Sequence, residues 1–183
     1  MGGEVGVESV VGTGSVFWIE LVATTSPSAA FEGLPASAAV EAAVPGARVR
    51  TLLYVEDNPA NLTLVQELLG RRPDIRLMCA REGTLGIQMA RSSAPEVILM
   101  DINLPGLSGL EALKILRNDP LTAHIPIVAL SANAMERDIR KGIEAGFFRY
   151  LTKPIKVAEF METLNVALGF AEQEARTKAH RGA

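Results

Sequence analysis

One cysteine, no long apolar run and no surplus of basic charge are the absences that say most about this chain. Cys79 has no second cysteine to pair with, so an intrachain disulfide is ruled out and a reducing cytoplasm fits well. It lies in the apolar segment Ile75–Ala80 and reads as a core residue rather than a reactive thiol. No apolar run approaches the about 20 residues needed to cross a bilayer. The start, Met1-Gly2-Gly3-Glu4, has no basic region ahead of an apolar one, so it does not read as a secretory signal. A net charge of −3 gives no reason to expect nucleic acid or an anionic membrane as the main partner. Lysine and arginine are missing from residues 1–47, which hold five glutamates, so all 18 basic residues lie in the remainder. What is present is an apolar fraction of 48% in 183 residues, enough for one ordinary domain with appendages.

Three regions follow one another. Residues 4–9 and 16–21 read as short strands, with Val5 and Val7 alternating with polar residues. Gly12 and Gly14 can supply the positive φ that a turn between them needs. A lone two-stranded hairpin is marginal in water, which leaves Val16, Phe17, Trp18 and Ile19 without an obvious cover, unless these strands pair edge to edge between chains. Residues 23–47 hold 17 Ala, Ser, Pro or Gly among 25 and show no apolar period. We read residues 23–48 as a linker.

From residue 49 the pattern changes. Five short apolar runs, 51–55, 75–80, 97–100, 127–130 and 147–151, alternate with helical spacings. Those spacings are Leu62-Val65-Leu69, a weaker stretch around Leu85 and Met89, Leu110-Leu113-Leu116, Met135-Ile139-Ile143 and Phe160-Leu164-Leu168. Asn58-Pro59 offers an N-cap followed by proline at the first helical position. Strands apolar throughout are buried on both faces, so the expected fold is α/β: a doubly wound five-stranded parallel sheet flanked by five helices.

In such sheets, sites form beyond the carboxyl ends of the strands. Glu56 and Asp57 close the first strand, Asp101 the third and Ser131 the fourth, and Lys153 lies just past the fifth. Each has a plainer reading on its own: a solvated loop, a turn aspartate, a surface lysine. Together they place three carboxylates, a hydroxyl and an ammonium in one pocket. At about 4 Å each carboxylate pair costs roughly 1 kcal/mol in water and about 4 kcal/mol at an effective dielectric near 20. Such a cluster invites a hard divalent cation, and magnesium suits it. Asp101 is then a plausible nucleophile for a phosphoryl group, with Lys153 and Ser131 able to meet the phosphoryl oxygens.

These residues carry a resemblance. Tyr-Val-Glu-Asp-Asn-Pro at 54–59, Leu-Met-Asp-Ile-Asn-Leu-Pro-Gly-Leu-Ser-Gly at 99–109, Leu-Ser-Ala-Asn-Ala-Met at 130–135 and Tyr-Leu-Thr-Lys-Pro-Ile at 150–155 resemble the receiver domain of bacterial response regulators, a flavodoxin-like fold. The intervals fit too: 44 residues from Asp57 to Asp101, 30 on to Ser131 and 22 on to Lys153. The resemblance implies that Asp101 is the phosphoacceptor and that Glu56, Asp57, Asp101 and the backbone carbonyl of Asn103 hold Mg2+. It implies that Ser131 and Lys153 contact the phosphoryl group, that Ser131 and Tyr150 form the switch, and that the Lys153–Pro154 bond is cis. The plainer reading of Tyr150, as a surface aromatic, carries less weight than the switch. Phe148 departs from the family, which usually has a small or acidic residue there; it is either packed or part of a surface patch.

Residues 1–21 resemble the last hairpin of a histidine-kinase ATP-binding domain, with Gly12 and Gly14 in its second glycine box. This implies a hybrid histidine kinase with its kinase core missing here: hairpin 1–22, linker 23–48, receiver 49–170 and tail 171–183. Neither His124 nor His180 lies in a phosphorylatable context, and Gly12 and Gly14 would serve only as turn residues. The expected function is phosphoacceptor in a two-component phosphorelay, not an enzyme, with a histidine kinase or histidine phosphotransfer protein as partner. The alternative is a docking module that works without phosphorylation. A phosphatase of the haloacid dehalogenase type needs a second aspartate two residues after the nucleophile, where Asn103 stands. About 15 residues after Leu168 are too few for a helix-turn-helix output domain, so output is expected to run through protein partners.

Overall fold

The computed structural model describes residues 3–10, 14–21, 48–132 and 135–181. The chain divides into two compact units, Met1–Val40 and Glu41–Ala183. In the first, β1 (Gly3–Val10) pairs antiparallel with β2 (Gly14–Leu21) in the register Val5↔Ile19, Val7↔Phe17 and Glu8↔Val16. Because side chains alternate along a strand, Val5, Val7 and Phe17 share one face, and Glu4, Glu8 and Glu20 share the other, where the Trp18 indole lies over Gly6. Val5, Val7 and Phe17 are exposed, at 57–78% of full accessibility. Gly14 has the positive φ expected of it (125°); Gly12 and the linker up to residue 47 lie outside the described residues.

The second unit alternates strand and helix: β3 (Arg50–Val55), α1 (Pro59–Leu69), β4 (Ile75–Ala80), α2 (Gly83–Ser93), β5 (Val97–Asp101), α3 (Gly109–Arg117), β6 (Ile127–Ser131), α4 (Glu136–Ala145), β7 (Arg149–Thr152) and α5 (Val157–Arg181). The sheet order is β4-β3-β5-β6-β7, all parallel, so it is doubly wound with the order reversing at β3 and β5. β5 and β6 are buried along their whole length, as their unbroken apolar runs require. Alternation sends Leu52, Tyr54, Leu99 and Leu130 into a core under α1 and α5, with Val65, Phe160 and Leu164. Leu53, Val55, Ile98 and Met100 enter the opposite core with Ile87, Leu113, Leu116 and Phe147.

Local signals place the helix starts. Asn58 accepts from the Ala60 N–H at 2.9 Å ahead of Pro59, and Ser108 forms a reciprocal capping box with Glu111. The helix α2 is where periodicity misleads. Leu85 is exposed and Met89 only partly buried, while Gly86, Ile87 and Ala90 face the sheet. An added Cβ at Gly86 would meet a Val55 methyl at 2.7 Å, so α2 approaches β3 too closely for a large side chain. On α4, Met135 and Ile143 are exposed rather than buried, because the helix packs through Gly142 against the Tyr150 ring. α5 runs to Arg181, so most of the segment expected as a tail continues a helix. Phe148 is packed: its ring lies 4.9 Å from that of Phe170 on α5, tilted by 41°. Cys79 is only partly buried at the edge of the core, and burial raises its pKa.

Arg117 fastens one side of this unit. Its guanidinium donates to the carbonyls of Ala123 (2.7 Å), Ile125 (2.8 Å) and Gly146 (2.8 Å), joining the end of α3, the loop before β6 and the C-cap of α4. Bonds from a charged donor to three acceptors outweigh those of a neutral pair, so Arg117→Met is expected to cost about 3 kcal/mol in urea unfolding. Lysine lacks the planar fork, and Arg117→Lys is expected to recover only part of that loss.

Candidate active site

The parallel register brings the expected residues level. Val55 lies beside Met100, Asp101 beside Leu130 and Ser131 beside Thr152, so β3, β5, β6 and β7 end together. Counting by twos, Glu56 continues the face of Leu52 and Tyr54, and Asp101 continues that of Leu99. Glu56, Asp57 and Asp101 offer carboxylate oxygens that all lie within 4.8 Å of one another. Glu56 and Asp101 are buried, whereas Asp57 is exposed at the rim. Lys153 reaches into the same place, its Nζ donating at 2.7 Å to Asp101 Oδ2 and at 2.7 Å to Glu56 Oε2. The backbone N–H of Lys153 donates to the Ser131 carbonyl at 2.7 Å, which ties the chain after β7 to the end of β6. Ser131 is buried; Asn103, on the loop after Asp101, donates its backbone N–H to Asp101 Oδ1 at 2.9 Å. An added Cβ at Gly109 would fall 2.2 Å from the Asp101 carbonyl oxygen, so only glycine lets α3 start this close to the site. The Lys153–Pro154 peptide bond is cis.

Two neighbours were not singled out from sequence. The Tyr54 hydroxyl donates to Glu56 Oε2 at 2.8 Å, and Asn61 Nδ2 donates to Glu56 Oε1 at 2.9 Å. The signal for Tyr54 was its place two residues before Glu56 on a strand, hence on the same face. Asn61 sits in the first turn of α1, which the Asn58-Pro59 start aims at the strand end.

Burial pushes both buried carboxyls up, but their partners differ. At Glu56 the donors Lys153, Asn61 and Tyr54 overcome burial and hold the carboxyl below its ordinary range. At Asp101 burial prevails, helped by the negative Glu56, against Lys153 and the Asn103 N–H, and the pKa is raised. Burial alone would lower Lys153, yet bonds to Asp101 and Glu56 raise it, so its ammonium stays charged at neutral pH. Burial pushes the Tyr54 phenol up, as does its bond to Glu56, so it remains a donor. The donor set is hard oxygen with a net negative charge, and it fits a small divalent cation.

A family model for the response regulator receiver domain matches residues 52–165. The chain belongs to that family. DivK, a polar-differentiation response regulator of Brucella anthropi, is 38% identical over 122 residues, covering 67% of this chain and 98% of DivK. The receiver domain of sensor histidine kinase PA1611 from Pseudomonas aeruginosa, solved with magnesium in its active-site cleft, is 35% identical. It superposes with a TM-score of 0.60, covering 66% of this chain and 98% of that one. The chemotaxis protein CheY4 of Vibrio cholerae, 23% identical with a TM-score of 0.61 over 66% of this chain and 99% of that one, shares the fold. The receiver's place is therefore that of a phosphoacceptor in two-component signalling, and its acidic cluster fits a magnesium site. Among the described residues no helix is long and apolar enough to cross a membrane.

The raised Asp101 pKa has a consequence for stability. Its folded value lies above its unfolded one, so ionising it disfavours the folded state at neutral pH. That penalty is present above the raised pKa and vanishes as pH falls through it toward the unfolded value. In EDTA, Asp101→Asn is expected to raise the free energy of unfolding at neutral pH, with a gain that shrinks on acidification. Urea unfolding across the acid range checks this.

Proposed function

We propose that Asp101 is the phosphoacceptor of this receiver, taking a phosphoryl group from a phosphohistidine on a histidine kinase or phosphotransfer protein. The observation that carries the reading is the single Lys153 ammonium held between Asp101 and Glu56 at 2.7 Å from each. It sets a positive charge against a buried aspartate, the group placed to act as nucleophile, at the open end of a parallel sheet. An Asp101 carboxylate oxygen forms a bond to phosphorus as the N–P bond of the phosphohistidine breaks, and the imidazole leaves. Lys153 turns from the carboxylate to the phosphoryl oxygens, and the Ser131 hydroxyl donates to another of them. Glu56, Asp57, Asp101 and the Asn103 carbonyl would hold Mg2+. That ion, when bound, supplies positive charge that draws the phosphoryl oxygens to the site and offsets their repulsion by the carboxylates.

We read Ser131 and Tyr150 as the switch. Tyr150 is half-buried with its ring on Gly142 of α4, so a movement at the end of β6 has a direct route to that helix. We read the whole as part of a hybrid histidine kinase, since β1 and β2 form the hairpin that residues 1–21 led us to expect and their apolar face has the character of a domain surface. We read the setting as cytoplasmic, a reading that the single cysteine supports.

Incubation with acetyl phosphate, followed by intact mass, is expected to show a gain of one phosphoryl group that needs Mg2+ and is absent in Asp101→Asn. No gain in the wild type, under conditions that label another receiver, would contradict the assignment.

A further inference from the structure

Glu56 is the most heavily bonded side chain at the site. Its Oε1 accepts from Asn61 Nδ2 at 2.9 Å and from the Asn58 N–H at 3.3 Å; its Oε2 accepts from the Tyr54 hydroxyl at 2.8 Å and from Lys153 at 2.7 Å. Each oxygen thus carries two donors, and the carboxylate has no exposure. The donors differ in kind. Lys153 has a long flexible stem, is shared with Asp101, and occupies with its positive charge the space between the carboxylates. A divalent cation needs the same space, so the ammonium is the donor that gives way. Tyr54 and Asn61 reach Glu56 from outside the acidic cluster, one along its own strand and one from the first turn of α1.

We propose that Tyr54 and Asn61 are positioning residues that hold the Glu56 carboxylate oriented, and so set how strongly the acidic site takes Mg2+. Tyr54 is buried without exposure in the interior of β3, where phenylalanine would fill the same volume. Burying a hydroxyl costs free energy unless it is bonded, and the partner this one has is the Glu56 carboxylate. With the ammonium gone, Glu56 would still accept from Tyr54 on Oε2 and from Asn61 and the Asn58 N–H on Oε1. The lone pair left vacant is the one that had faced Lys153, and so faces Asp101. Without Tyr54 that oxygen would be free to turn, and the buried charge would lose one of its donors. Groups that orient metal-binding carboxylates in this way typically change metal affinity about 10-fold or more when removed.

The proposal rests on the magnesium reading above, and Mg2+ titration calorimetry separates the two. The proteins are wild type, Tyr54→Phe, Glu56→Gln and the double variant. Tyr54→Phe is expected to weaken Mg2+ binding on the order of 10-fold. In the Glu56→Gln background the same change is expected to alter affinity by less than about twofold, because the path through Glu56 is already cut. Unchanged affinity in Tyr54→Phe, or an equal loss in both backgrounds, would overturn the positioning role while leaving the magnesium site intact. No Mg2+ binding by the wild type would overturn both. Asn61→Ala, at the start of an α1 still capped by Asn58, repeats the test from the other side of the carboxylate should Tyr54→Phe fail to fold.

Discussion

The structure depends on one cation shared by two buried carboxylates. Glu56 and Asp101 end neighbouring strands, where the parallel register leaves no choice about their proximity. Two like charges taken out of water at this range repel by several kcal/mol at an intermediate dielectric. Lys153 relieves that repulsion from β7's end, across the width of two strand spacings, and the Lys153 N–H to Ser131 carbonyl bond fixes where its side chain starts. The donors around Glu56 and the near-contact of Gly109 with the Asp101 carbonyl then belong to one problem, that of keeping negative charge ionised at the end of a hydrophobic sheet. A pair with opposite pKa shifts, Glu56 down and Asp101 up, is the result. The aspartate that burial leaves poorly stabilised is also the one placed to react, as expected where function sets the environment.

Much of this was legible in the sequence, for identifiable reasons. Strands buried on both faces leave unbroken apolar runs, and Val97–Asp101 and Ile127–Ser131 could be placed to within a residue. The site residues stood out because each polar residue terminates such a run. α2 was harder: its sheet-facing side is Gly86, Ile87 and Ala90, and a helix that packs through glycine leaves no stripe of large residues to count. On α4 the counted residues Met135 and Ile143 lie on the outside, since Gly142 makes the contact with Tyr150. Phe148 had two possible places, and its contact with Phe170 depends on how far α5 extends, which local spacing does not encode. Tyr54 was hidden by its own run, where a tyrosine among Leu52, Leu53 and Val55 looks like one more core residue.

The amino-terminal unit poses a different physical problem. Its hairpin segregates charge: Glu4, Glu8 and Glu20 on one face, Val5, Val7 and Phe17 on the other. A two-stranded sheet has no second layer of its own, and among the described residues Val5, Val7 and Phe17 are exposed. The receiver unit is self-sufficient by comparison, with a core on each side of the sheet and a capped start to α1 and α3.

The most direct measurement of the central claim is the chemical location of the phosphoryl group. Borohydride reduces an acyl phosphate to an alcohol, converting the modified aspartate to homoserine, which peptide mass spectrometry then places in the chain. The account predicts homoserine at position 101 after treatment with acetyl phosphate and Mg2+. Homoserine at position 57 instead, or a labelled protein with no reduced residue at 101, would contradict it.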